Sequence, residues 1–293
     1  MTPPNNPVAP RLRWSGLSDR GKVRKNNEDS FLGLQFDAHE ALLLGKTGEA
    51  SLEKADLAFA VSDGMGGAMA GEFASRITVE KVTRLMPPAF KQSAAGLDAG
   101  CTDVLAELFA QVHRALTFLG ESYEECGGMG ATLSLCWFTP GRMFFGHVGD
   151  SRIYFLPAAA GAVCGAAALS GGERGGIRQI TEDDTYVGWL FRNGKLNERE
   201  ARNHPRKNVL QKALGAGHQF AEPQIGAVAY ESSDVFVLCT DGVMDGLWDS
   251  RIADIIRAPD LADAALDPAQ RLVKAALEVS GRDNTTAVVV EVL

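Results

Sequence analysis

The sequence predicts an α+β fold in which antiparallel sheets are covered by helices. Three observations predict it. Strand-like segments come in runs, in the order strands, two helices, many strands, helices and a last strand, and not in the regular βαβ alternation that makes a parallel sheet. Neighbouring strand candidates are joined by short turns containing Gly, Pro or Asp, as in hairpins. One long segment has a single apolar stripe at three-four spacing, Cys101, Val104, Leu105, Leu108, Val112, Ala115, Leu116 and Leu119, which needs a sheet to pack on.

Taken in order, MTPPNNPVAP reads as a flexible tail over residues 1–10, and residues 11–293 as one domain. Leu12 to Ser18 and Ser30 to Leu34 read as strands flanking the polar turn GKVRKNNED. Asp37 to Asp56 reads as an irregular excursion before a strand at Leu57 to Ser62. After the striped helix come strands at Thr132 to Phe138, Met143 to Val148 and Arg152 to Leu156. Pro157 to Gly176 is nearly all Ala, Gly and Ser, a low-complexity insertion expected to be mobile. Helices follow around Thr185 to Arg192, Asn197 to Asn203 and Asn208 to Leu214, then strands at Gln224 to Tyr230 and Val235 to Thr240. A helix near Pro268 to Val279 leads through SGRDN to a final strand, Thr286 to Val292.

The 293 residues are 45% hydrophobic and 23% charged, enough to bury a full core. A formal charge of −8, with no run of five or more Lys or Arg, argues against nucleic acid or an anionic membrane as partner. The five cysteines are widely spaced and never form C-x-x-C, so neither a disulfide framework nor a zinc site is indicated. With no uninterrupted apolar run of about 18 residues, a cytoplasmic location is expected.

Three apolar strand candidates run into aspartate: AFAVSD at Asp63, FFGHVGD at Asp150 and VFVLCTD at Asp241. A fourth, Asp283, lies between a helix and a strand, and Glu28 and Asp29 sit together at another strand end. Asp-Gly is also the commonest hairpin-turn signal, so one such site reads as structural; hairpins give no reason for the repetition. Converging carboxylates repel and raise one another's pKa unless cations neutralise them. Oxygen ligands without His or Cys at ligand spacing favour Mg²⁺ or Mn²⁺ over zinc, and two such ions could activate a water against a phosphoryl group. Arg24, four residues before Glu28, reads either as a phosphate-gripping guanidinium or as a solvated surface arginine. The histidines share no spacing with a nucleophile, which gives no support to a Ser-His-Asp hydrolase. GGMGAT follows a helix and precedes a strand, the reverse of a P-loop.

Seven segments in order, SDRGKVRKNNEDSF, VSDGMGG, GMGATL, HVGDSRIY, NVLQKALG, CTDGVMDGL and GRDNTTAVVV, resemble the metal-dependent protein phosphatase (PPM, type 2C) family, specifically its bacterial branch. The resemblance implies a four-layer α-β-β-α sandwich with a binuclear Mn²⁺ or Mg²⁺ centre at one edge. It implies that Asp63 bridges both metals, the Gly64 carbonyl binds the second, and Asp241 and Asp283 complete the first. Glu28 and Asp29 would act on the second through waters, Asp150 would hold a third, weaker ion with Asp241, and Arg24 would bind phosphate. Met65 stands where many animal and plant members carry a histidine proposed as general acid, and Asp184 and Thr185 replace a common His and Ser. Val187 to Arg206 corresponds to a variable flap that helps select substrate. The function implied is a monomeric serine/threonine protein phosphatase acting on phosphoserine and phosphothreonine proteins and opposing a serine/threonine kinase. Two alternatives are a same-fold phosphatase dedicated to one regulatory protein and a catalytically silent phosphoprotein-binding module.

Overall fold

Strand β1 (Arg11–Asp19) opens by burying alternate residues, Leu12 and Trp14, as a strand with one face on a core must. The structure is a computed structural model that describes residues 9–67, 69–93, 98–158, 176–217 and 221–293. Further strands are β2 (Asp29–Phe36), β3 (Ala41–Leu43), β4 (Thr47–Ser51), β5 (Asp56–Met65), β6 (Gly130–Ala131), β7 (Leu133–Thr139), β8 (Arg142–Val148) and β9 (Arg152–Leu156). They continue with β10 (Arg178–Gln179), β11 (Leu214–Gly215), β12 (Gln224–Ala229), β13 (Val235–Cys239) and β14 (Thr285–Val292). The helices are α1 (Ala70–Ser93), α2 (Asp98–Ser122), α3 (Tyr186–Arg192), α4 (Glu198–Arg202), α5 (Asp241–Gly246), α6 (Asp249–Arg257) and α7 (Pro268–Val279).

The pairings are antiparallel and build two sheets. One has the order β10-β9-β13-β14-β1-β4; the other runs β11-β6-β5-β7-β8-β12, with β2 on β5 and β3 on β2. The pleat of β5 shows how the layers arise. Ala58 and Ala60 face the apolar stripes of α1 and α2, including Val82, Leu105, Val112 and Leu116, while Leu57, Phe59 and Val61 face the other sheet. The far face of the sheet that holds β9, β13 and β14, with Tyr154, Val237 and Val289, packs on Val243, Ile252, Leu272 and Ala276 of α5, α6 and α7. Three stacked cores therefore separate four layers, the expected α-β-β-α sandwich.

The striped helix stands as expected, with Leu105, Leu108, Val112 and Leu116 buried. Cys101, Cys126, Cys136 and Cys239 are buried as small apolar side chains; Cys164 and most of the Pro157 to Gly176 insertion lie outside the described residues. Among the described residues no helix is long and apolar enough to cross a membrane.

Four expectations are corrected. Asp37 to Asp56 is not irregular: an Asp37 turn, whose Oδ1 accepts from His39 and Glu40 N–H, leads into two short edge strands without apolar alternation, β3 an exposed Ala-Leu-Leu and β4 mostly polar. Asn208 to Leu214 is not a helix. Its backbone is spent on tertiary partners, with Tyr186 N donating to Val209 O, Gln211 N to Asp184 O, and Leu214 pairing Ala131. The junction of β8 and β9 is not a hairpin, because β9 joins the other sheet beside β13; Gly149 to Ser151 is a corner between layers. Finally, β5 does not end at Asp63 but runs to Met65, and Asp241 is the first residue of α5 and not a turn residue.

Candidate metal centre

The elements deliver the acidic residues to one rim of the sandwich. Asp63 comes from β5, Asp150 from the inter-sheet corner, Asp241 from the N-terminus of α5 where β13 ends, and Asp283 from the turn before β14. With Glu28, Arg24, Gly64 and Met65 they line one cavity of about 710 Å³. The cavity therefore draws on both sheets. A smaller cavity of about 270 Å³ shares Asp150 and Asp241 and is walled by Val187, Gly188, Phe191 and Ala201 of α3 and α4.

Glycines make this convergence possible by letting chain approach chain. A Cβ on Gly64 would sit 1.9 Å from Gly71 O at the start of α1, and one on Gly242 would sit 2.0 Å from Asn284 O. The Asp-Gly pairs thus dock the cavity-facing segments against other backbone.

Side-chain bonds hold the rim. Arg24 Nη2 donates to Asp283 Oδ2 at 2.7 Å, which raises the guanidinium pKa further. Asn284 clamps the loop carrying Arg24: its Oδ1 accepts from Glu28 N, and its Nδ2 donates to the carbonyls of Arg20 and Asn26. Asp29 is not a cavity-lining group. It faces Asp63 across the β2–β5 ladder, and its Oδ2 accepts from Thr240 and Thr286 hydroxyls at 2.7 Å each, bolting one sheet to the other directly before Asp241. Asp184, whose segment had no clear role in the sequence, holds the Asp150 corner: its Oδ2 accepts from Gly149 N and its N donates to Gly149 O. Thr185 caps α3 through Gly188 N.

The electrostatics are those of crowded, desolvated carboxylates. Burial raises Asp63 well above the ordinary range, reinforced by Asp29, Asp241 and Asp150. Asp241 is raised likewise, by burial and then Asp150 and Asp283. Burial pushes Asp150 and Asp29 each to about 7, Asp150 with Asp183 as its next cause and Asp29 against its two hydroxyl bonds. Glu28 is raised by burial against the opposing pull of Arg24.

A family model for protein phosphatase 2C matches residues 46–277. The chain belongs to the protein phosphatase 2C family. The serine/threonine protein phosphatase PstP of Mycobacterium tuberculosis is 32% identical over 286 residues, 96% of this chain. The chain spans only 45% of that relative's length. Serine/threonine phosphatase stp of Listeria welshimeri is 28% identical over 94% of this chain and 93% of its own. A crystal structure of the catalytic domain of PstP in complex with two manganese ions superposes with TM-score 0.64 at 30% identity, covering 97% of this chain and 99% of that one.

Phosphatases of this family use Mn²⁺ or Mg²⁺, and the residues here fit such an ion. The acidic donors are hard oxygens, and in the cavity lining the buried Asp241 Oδ1 has no hydrogen-bond partner, the condition of a carboxylate oxygen that fits a cation. Among the described residues no three His, Cys, Asp or Glu side chains are drawn tightly enough together to hold an ion already; the carboxylates surround the cavity and do not close on a point. Sequence reasoning missed the supporting polar groups, Thr132, Asn284, Thr240 and Thr286. Asn284 and Thr240 had a visible signal, their places beside Asp283 in GRDN and Asp241 in CTD.

Proposed function

We infer that the chain is a metal-dependent serine/threonine protein phosphatase that hydrolyses phosphoserine and phosphothreonine in proteins. The observation that supports it most is the convergence of Asp63, Asp150, Asp241 and Asp283 with Arg24 on one cavity. In this reading Asp63, Gly64, Asp241, Asp283 and Glu28 hold two Mn²⁺ or Mg²⁺ ions, and Asp150 with Asp241 serves a third. Bound there, such ions would lower the pKa of a water so that it can lose a proton and act as the nucleophile, and would neutralise the phosphoryl oxygens. Arg24 binds the phosphate from the rim, and Asp283 orients its guanidinium. Asp29 acts from behind, fixing the backbone opposite Asp63 and the Thr240 that precedes Asp241.

Residues 11–293 act as one domain, with Val187 to Arg206 as a flap that selects among phosphoproteins. The partners are phosphoserine and phosphothreonine proteins, including a serine/threonine kinase or its substrates, and the enzyme acts as a cytoplasmic monomer. Hydrolysis of a chromogenic phosphate ester with Mn²⁺ tests the core of this reading. Activity that chelator abolishes and excess Mn²⁺ restores is expected; activity indifferent to chelator would overturn it.

A further inference from the structure

Asp63 faces Thr132 across the ladder. The register on either side is continuous, Val61 with Ser134 and Gly64 with Ala131, so Asp63 and Thr132 occupy opposed positions. A regular hydrogen-bonded pair exchanges both N–H···O=C bonds. Here only one is regular, Thr132 N donating to Asp63 O at 2.8 Å. Asp63 N donates instead to the Thr132 hydroxyl, at 2.9 Å, and the Thr132 carbonyl is taken by the Ser62 hydroxyl, at 2.7 Å. Two side-chain hydroxyls thus replace one backbone rung at the aspartate that stands at the centre of the site.

Ser62 and Thr132 are 0% and 1% exposed, so no water can readily take over either bond. The Thr132 hydroxyl also lies 2.9 Å from the Ser151 hydroxyl, next to Asp150. One oxygen therefore meets the backbone of Asp63 and the corner that carries Asp150, from two different β–β junctions.

We propose that Thr132, supported by Ser62, is a positioning residue for the metal centre: its hydroxyl holds the Asp63 backbone out of the regular rung so that the Asp63 carboxylate is aimed into the cavity, and ties that strand to the Asp150 corner. The proposal rests on Asp63 being a metal ligand. Thr132→Val keeps the branched shape but removes the acceptor, leaving Asp63 N–H to swing back to the carbonyl or stay unpaired.

Calorimetric titration of the full chain with Mn²⁺ tests it. Thr132→Val is expected to weaken Mn²⁺ binding by about 10- to 100-fold, the usual effect of losing a group that orients a ligand, and Thr132→Ser, which keeps the hydroxyl, by less than about 3-fold. Ser62→Ala is expected to move affinity in the same direction and gives the answer if Thr132→Val does not fold. Wild-type affinity in Thr132→Val, or in Ser62→Ala where Thr132→Val is unfolded, overturns the proposal. So does equal loss in Thr132→Ser and Thr132→Val, which makes the methyl packing the cause. A wild-type chain that binds no Mn²⁺ overturns the metal assignment itself, a failure distinct from the others.

Discussion

Asp63 stands in a ten-residue strand whose Leu57, Phe59 and Val61 are wholly buried, while the segment proposed as a flap beside the same rim has helices of seven and five residues, the shorter burying none. The floor of the cavity is set by three stacked cores and the flap by caps and surface contacts, such as the Asn197–Glu200 capping box of α4. Chemistry that needs ligands held to a fraction of an ångström sits on the first kind of structure, and selection among partners suits the second. If this division is right, changes to the floor should act on chemistry and stability, and changes to the flap on substrate preference.

The largest effect should come from the floor. Asp63→Asn keeps the volume and removes the charge that faces both sheets' carboxylates. At saturating Mn²⁺ and substrate, kcat for a chromogenic ester should fall by about 10³-fold, roughly 4 kcal/mol of transition-state stabilisation. A drop below about 10-fold in this variant would place the chemistry elsewhere in the cavity.

Next in size is the pH response of the metal-free domain. Asp29 and Asp150 are raised from 3.8 to about 7, with Asp63 and Asp241 raised too, so the folded state holds more protons than the unfolded chain across this window. Stability should be fullest below about pH 4 as far as these groups are concerned, and should be lost as pH rises toward 7. Mn²⁺, which binds the ionised carboxylates, should reverse the trend. Urea unfolding in chelator at pH 5 and pH 7.5, then with Mn²⁺, measures this; metal-free stability that rises over the same interval would contradict the crowding of the floor.

Gly64→Ala probes the backbone contact under the floor. Its Cβ would overlap Gly71 O, so either β5 or the start of α1 must shift, at about 1–3 kcal/mol of stability. The urea midpoint should fall and Mn²⁺ affinity with it; an unchanged midpoint would mean that the floor is less rigid than its packing suggests.

The same division explains what could be read from the sequence. The floor was legible because apolar runs that lead into Asp63, Asp150 and Asp241 leave a signal in hydrophobic periodicity, and the α2 stripe showed that a sheet needed a cover. Which sheet each strand joins was not legible: β8 and β9 look like a hairpin, and only packing sends β9 to β13. Nor was Asn208 to Leu214, whose helical composition is overridden by bonds to Asp184 and Tyr186. Asp29 shows a subtler limit. Its type and place in NNED resemble a ligand's, yet one carboxylate oxygen is committed to Thr240 and Thr286, residues more than two hundred positions away.

The smallest effect should come from the flap. The Arg206 guanidinium lies 4.7 Å from the centre of the Tyr186 ring, and these two residues close the ends of the segment from Val187 to Arg206. Arg206 is exposed, so the stack contributes about 0.5–1 kcal/mol, and Arg206→Ala should loosen the flap without reaching the carboxylates. The KM for phosphopeptides should rise by about 2- to 5-fold, the same energy expressed as affinity, with kcat for a small ester unchanged. If small-ester kcat fell in step with peptide KM, flap and floor would be one mechanical unit. The capping boxes and exposed stacks of the flap would then be holding the catalytic geometry, and the separation drawn between the two regions would fail.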